Sequence, residues 1–137
     1  MDFLEIIVHE CTHNFLFIDD LTFSHYLDIE KMAKRESFAL SAVLQKIRPL
    51  DKVIHALIVA FEVYMFRKNS RKTYCTNEII IHPDSHLLLN NCKISIDSIK
   101  GCENSRDILS DRIWELIDIV EKRIDLEFCR NEKMVSM

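Results

Sequence analysis

Phe3-Leu4-Glu5-Ile6-Ile7-Val8-His9-Glu10-Cys11-Thr12-His13-Asn14-Phe15-Leu16-Phe17 is the stretch whose reading decides the rest. Its apolar flanks predict one helix from Phe3 to the Asp19-Asp20 pair, and on a helix His9 and His13 stand one turn apart on the same face. Two imidazoles so placed can reach one metal ion, with Glu10 beside the coordination position left open. Apolar residues on both sides of the motif imply a buried helix, where paired polar rings must be hydrogen-bonded to carbonyls or bound to metal. An ion held by two imidazoles needs a third protein donor before it does chemistry, so the later segments are read for that donor.

Working outward, 137 residues suffice for one domain with a single core. One Gly and two Pro against 48% hydrophobic residues leave few turns and long regular elements. The expected fold class is mainly α, a compact helical domain of about four helices with a small β-hairpin. A formal net charge of −4 offers no basic surplus to attract nucleic acid. Cys11, Cys75, Cys92, Cys102 and Cys129 are odd in number and form no C-x-x-C pair, which fits a reducing cytoplasm better than a disulfide framework. The first apolar stretch lacks a basic flank and is broken by Glu5, His9, Glu10 and His13, while Val53 to Phe66 is too short to span a bilayer, so no membrane partner is expected. Because the motif starts so near Met1, the chain reads as the C-terminal portion of a longer architecture.

After the motif helix, a turn holding His25 leads into a second helix predicted from Asp28 to about Gln45, with Ile29, Met32, Ala33, Phe38, Ala39, Ala42 and Val43 near helical spacing. Arg48-Pro49 ends it, and Pro49 opens a third helix, Leu50 to about Lys68. That helix is apolar nearly all round, the mark of a central element, and its interior polar groups His55 and Glu62 are about two turns apart on one face. A connector near 69–76 follows. Glu78 to His82 and Lys93 to Asp97 read as short β-branched strands able to pair as the hairpin, with a helical turn over 85–91 as the alternative. A last helix is expected from Arg106 to Phe128, its apolar stripe running through Ile113, Ile117, Val120 and Ile124.

Four residues, His55, Glu36, Glu62 and His25, compete for the third ligand. His55 leads, as the one imidazole on the central helix; Glu36 lies in an E-x-x-A segment, and Glu62 shares the His55 face. His25, His82 and His86 read as surface histidines, the last two separated by Pro83. Arg48, fixed before a rigid Pro, can grip a carboxylate with two parallel bonds or pair with Asp51.

Taken together, Ile7-Val8-His9-Glu10-Cys11-Thr12-His13-Asn14-Phe15-Leu16-Phe17, Arg48-Pro49-Leu50 running into Val53-Ile54-His55-Ala56, and the apolar run Val59 to Phe66 resemble the H-E-x-x-H proteins found with bacterial ribosomally made, modified peptides. The resemblance covers roughly residues 6 to 68, and the chain departs from it in lacking most of the region that usually precedes the motif. Some members of that family look like iron- and 2-oxoglutarate-dependent peptide β-hydroxylases. The resemblance implies that His9, His13 and His55 hold Fe(II), that Arg48 salt-bridges 2-oxoglutarate, and that the substrate is a peptide. Two other readings stand beside it: a zinc hydrolase in which Glu10 is the general base toward Zn(II)-bound water, and a non-catalytic helical binding module.

Overall fold

The computed structural model describes residues 3–70 and 82–135. Among them are six α-helices, four of them long, and one two-stranded antiparallel sheet, so the chain is a mainly α domain with a small hairpin. None of these helices is long and apolar enough to cross a membrane.

The centre is α3, Leu50–Ser70, as its apolar circumference requires. Leu50, Val53, Ile54, Leu57 and Val63 are all fully enclosed. One side of α3 packs on α4, Ser85–Gly101, which presents Leu88, Cys92, Ile96 and Ile99; α4 in turn packs on α6, Asp111–Val135, through Ile113, Ile117, Val120 and Ile124. These spacings of three and four are the apolar stripes of helices lying on a common core. The other side of α3 carries α1, Phe3–Phe23, the motif helix.

The hairpin is built from other residues than the sequence suggested. Lys93 to Asp97 lies inside α4, and of the other expected strand only His82 is described, in a bend ahead of α4; residues 78–81 lie outside the described residues. The β-branched run at 94–96 was a poor guide, because Ile96 and Ile99 belong to a helical stripe begun by Leu88 and Cys92. The expected second helix is also absent as one piece. Asp28 caps a single turn, α2, Ile29–Met32, by accepting from Lys31 N at 2.8 Å; a 3-10 turn over Arg35–Ser37 follows. Then β1, Phe38–Leu40, pairs with β2, Ile47–Pro49, placing Ala39 opposite Arg48. Tertiary partners decide the matter: Leu40 N donates to Ser98 Oγ at 2.9 Å and Leu40 O accepts from Ser95 Oγ at 2.7 Å, so α4 satisfies the edge of the hairpin. Arg48 is thereby extended, as a residue before proline prefers, and α3 starts one residue after Pro49.

The last helix begins later than expected. A single turn, α5, Ser105–Ile108, precedes α6. The link between them holds the segment after α1, with Leu27 N donating to Ile108 O at 2.7 Å and Ser110 N to His25 O at 3.0 Å. Arg112 of α6 also grips Asp19 of α1 through Nε at 3.0 Å and Nη2 at 2.8 Å, while Asp19 Oδ2 lies 2.6 Å from Nε2 of the enclosed His25.

Two expectations follow. Leu57→Ala should cost about 2–5 kcal/mol, read as a lower urea midpoint, because the site is fully enclosed. The bonds from Arg112, and secondarily from His25, hold the Asp19 carboxyl down to about 2, below its unfolded value. A depressed carboxyl stabilises fully above its unfolded value and loses that contribution as pH falls through the folded one. The difference in urea midpoint between the native chain and Asp19→Asn should therefore be largest near neutrality and shrink steadily between pH 5 and pH 2.

Candidate functional site

The i, i+4, i+8 positions Glu5, His9 and His13 share the face of α1 turned toward α3 and the start of α4. The helix is not buried as its apolar flanks implied: only Glu5, Thr12 and Leu16 are enclosed, while Phe15 is 71% and Leu21 88% exposed. The histidines are half-buried at the seam. His55 rises from the first turns of α3 to meet His13, Nδ1 to Nδ1 at 3.0 Å, with ring centroids 5.3 Å apart. The His9 and His13 centroids are 4.9 Å apart.

A fourth ring extends the row. His82 places Nε2 2.9 Å from His9 Nδ1, so the imidazoles run His82, His9, His13, His55. Neither His82 nor His25 is a surface residue; both are enclosed, His82 against Glu5 and His25 against Asp19, whereas His86 is exposed. Long-range pairing to a carboxylate accounts for both departures, since no local spacing announces it.

His9, His13 and His55 line one cavity of about 450 Å³ together with Arg48, Asp51 and Lys52. Its other walls include Phe17, Met32, Ala56 and Val59. Burial, and then the neighbouring His13, pushes the His55 imidazole down to about 4; burial likewise lowers His9 and His13. At neutral pH the three rings are thus uncharged, the form that donates a lone pair. Asp51 pairs with Lys52 at 3.2 Å, and among the described residues the Arg48 guanidinium has no ion-pair partner. The Tyr26 hydroxyl, on the same cavity, is enclosed and unpartnered among the described residues.

Glu10 is exposed, its Oε1 4.0 Å from His9 Nε2, and it does not line the cavity. Glu36, exposed in the 3-10 turn, and Glu62, exposed two turns along α3 from His55, do not line it either. His25, enclosed against Asp19, is also absent from the lining, so of the four contenders for a third donor His55 is the one that stands with the motif pair.

The donor chemistry suits a divalent ion, and one nitrogen pair, His13 Nδ1 and His55 Nδ1 at 3.0 Å, is near the roughly 3.3 Å between two nitrogens on one tetrahedral ion with bonds of about 2.0–2.1 Å. Yet among the described residues no three His, Cys, Asp or Glu side chains are arranged as a formed metal site. His9 Nδ1 is engaged by His82, and a single proton shared between the Nδ1 atoms of His13 and His55 leaves the accepting ring with its other proton on Nε2. Capture of an ion would displace that proton. The described cysteines, Cys11, Cys92, Cys102 and Cys129, are free and lie outside the cavity lining.

Sequence reasoning passed over Glu5, Tyr26, Lys52 and His82. Glu5 was visible in principle, as the one acid a helical turn before His9; the role of His82 was not, being 73 residues from its partner.

Compared with known proteins, the chain matches no protein-family model, no curated sequence and no solved structure.

Since the Tyr26 hydroxyl has no partner to lose, Tyr26→Phe should leave thermal stability unchanged or raise it by up to about 1 kcal/mol. A melt showing clear destabilisation would reveal a hidden structural bond.

Proposed function

We propose that the cavity between α1 and α3 is the active site of a metal-dependent, peptide-modifying oxygenase. His9, His13 and His55 are its ligands for Fe(II), and Arg48 anchors the distal carboxylate of 2-oxoglutarate. The observation that carries this reading is the convergence on one pocket of three uncharged imidazoles and a guanidinium without an ion-pair partner among the described residues, from segments that are 35 or more residues apart in sequence. When bound, ferrous iron with 2-oxoglutarate supplies the oxidising power for hydroxylating a peptide side chain.

The protein's own residues do the rest. Arg48 offers a fork of donors matched to a carboxylate, and Lys52 adds a second positive charge on the same wall. Ala56, Val59 and Met32 give the cavity apolar walls beside these charges.

A zinc hydrolase is the second reading, favoured by the Glu10 carboxylate standing 4.0 Å from His9 Nε2, near enough to serve as base toward an ion-activated water. Its exposed position outside the cavity lining is what ranks it second.

Anaerobic titration with Fe(II), then succinate release from 2-oxoglutarate in air, separates the readings. We expect one equivalent of iron, turnover of 2-oxoglutarate, and loss of both in His13→Ala and His55→Ala. Arg48→Ala should keep the iron and raise the 2-oxoglutarate KM at least tenfold, about 1.4 kcal/mol of carboxylate binding. One equivalent of zinc without such turnover would move the assignment to the hydrolase, and no metal in the native chain would leave a helical binding module.

A further inference from the structure

The face of α1 turned away from the cavity carries a second pattern. Leu4, Ile7, Cys11, Asn14, Ile18 and Leu21 follow one another at alternating steps of three and four, and all six are exposed. Strict alternation of this kind has a period of 3.5, the narrow seam of two helices wound on each other, whereas a helix seated on its own core shows a broader stripe. The residues that do the seating, Glu5, Thr12 and Leu16, stand on the opposite side of the helix.

The exposures are 43% at Leu4, 41% at Ile7, 60% at Ile18 and 88% at Leu21, and Phe3 and Phe15 flank the stripe at 70% and 71%. Together these side chains leave on the order of 700 Å² of apolar surface on one side of α1, more than a lone soluble domain commonly shows in one patch. Each member of a stable pair contributes about 800 Å² to a standard interface, so the patch has the size that a partner of this kind needs.

The pattern also says which partner. From Phe3 to Phe23 the helix has four acids and neither Lys nor Arg, which suits neither an anionic lipid surface nor a nucleic acid. A second copy suits it, because the stripe is complementary to itself when reversed. About a two-fold axis between Thr12 and His13, Leu4 meets Leu21, Ile7 meets Ile18 and Cys11 meets Asn14, so each aliphatic residue faces another and the two smaller polar ones face each other. Antiparallel packing sets the two helix dipoles against each other as well. A parallel pair would instead crowd together two C-terminal ends that carry Asp19 and Asp20 and no basic residue in the last turn.

We propose that the outer face of α1 is a homodimer seam, on which two copies of the chain pack their motif helices antiparallel in the register that places Leu4 on Leu21 and Ile7 on Ile18. His9 and His13 lie on the other side of the helix, so each copy keeps its own cavity open. Nothing in the seam depends on a metal or on the reaction proposed above.

Sedimentation equilibrium of the full chain at neutral pH should give about twice the 16.2 kDa of one copy at roughly 100 μM. Ile18→Lys puts a charge into the seam and should raise the dimer Kd at least about 30-fold with helicity unchanged, while Ile119→Lys, at an equally exposed site of α6, should leave it as it is. Asn14→Leu should tighten the dimer about tenfold, a gain that no damaged fold can imitate. Air oxidation of Asn14→Cys, followed by peptide mapping, should join Cys11 of one copy to the introduced thiol of the other. A native chain that stays at the mass of one copy would overturn the proposal, and so would a dimer that Ile18→Lys leaves intact. Cys11 joined chiefly to Cys11 of the other copy would overturn the antiparallel register. A single copy that binds phosphatidylcholine vesicles, and loses them in Ile18→Lys, would overturn the proposal by giving the face to lipid.

Discussion

The motif helix is held to the body of the protein by polar clamps rather than by apolar burial, and the site depends on that choice. Among its hydrophobic residues α1 encloses only Leu16, and its outer face exposes Ile7, Phe15, Ile18 and Leu21. What fixes it are three contacts spread along its length: Glu5 with Arg67 near the start, His13 with His55 in the middle and Asp19 with Arg112 near the end. Half-buried ion pairs of this kind roughly break even in stability against apolar packing, because desolvation offsets the attraction. They do fix direction, however. A helix seated on grease can slide or roll by a residue, whereas one seated on a two-bonded carboxylate at each end cannot, and the rotation that these clamps set is the one that turns His9 and His13 toward α3.

The same logic separates what the sequence disclosed from what it hid. Where apolar burial decides an element, periodicity discloses it: α3 is greasy all round and central, and α6 keeps Ile113, Ile117, Val120 and Ile124 on a single stripe. The segment 28–45 misled because its apolar residues are spaced almost as a helix requires, while the contacts that settle its conformation come from Ser95 and Ser98, more than fifty residues later. In the site, His9, His13, Arg48 and His55 were legible, since each stands in a local pattern of a motif helix, a pre-proline corner or a lone imidazole on an apolar helix. Burial of the motif helix was misjudged, because apolar residues were taken to be enclosed when much of a folded surface is apolar. Partners such as His82 with Glu5 leave no trace in spacing.

On the proposed reading, the charges around the cavity bear on which cosubstrate it would hold. Three uncharged imidazoles leave a bound divalent ion with its full double charge, in contrast to sites where a ligating carboxylate cancels part of it. Arg48 and Lys52 put two positive charges on the lining, and Asp51, paired with Lys52, and Asp20 put two negative ones there. A loaded site built this way would favour a dianion that could meet the ion with one end and Arg48 with the other. Glu10, the one carboxylate beside the motif histidines, points into solvent and lowers the potential inside very little. For a hydrolase that arrangement is awkward, because the base must share the enclosed space with the water that it deprotonates. For a reaction that recruits an anionic cosubstrate, Glu10 would stay clear of the dianion, and Asp20 and Asp51 on the lining would be the acids that compete with it for Arg48.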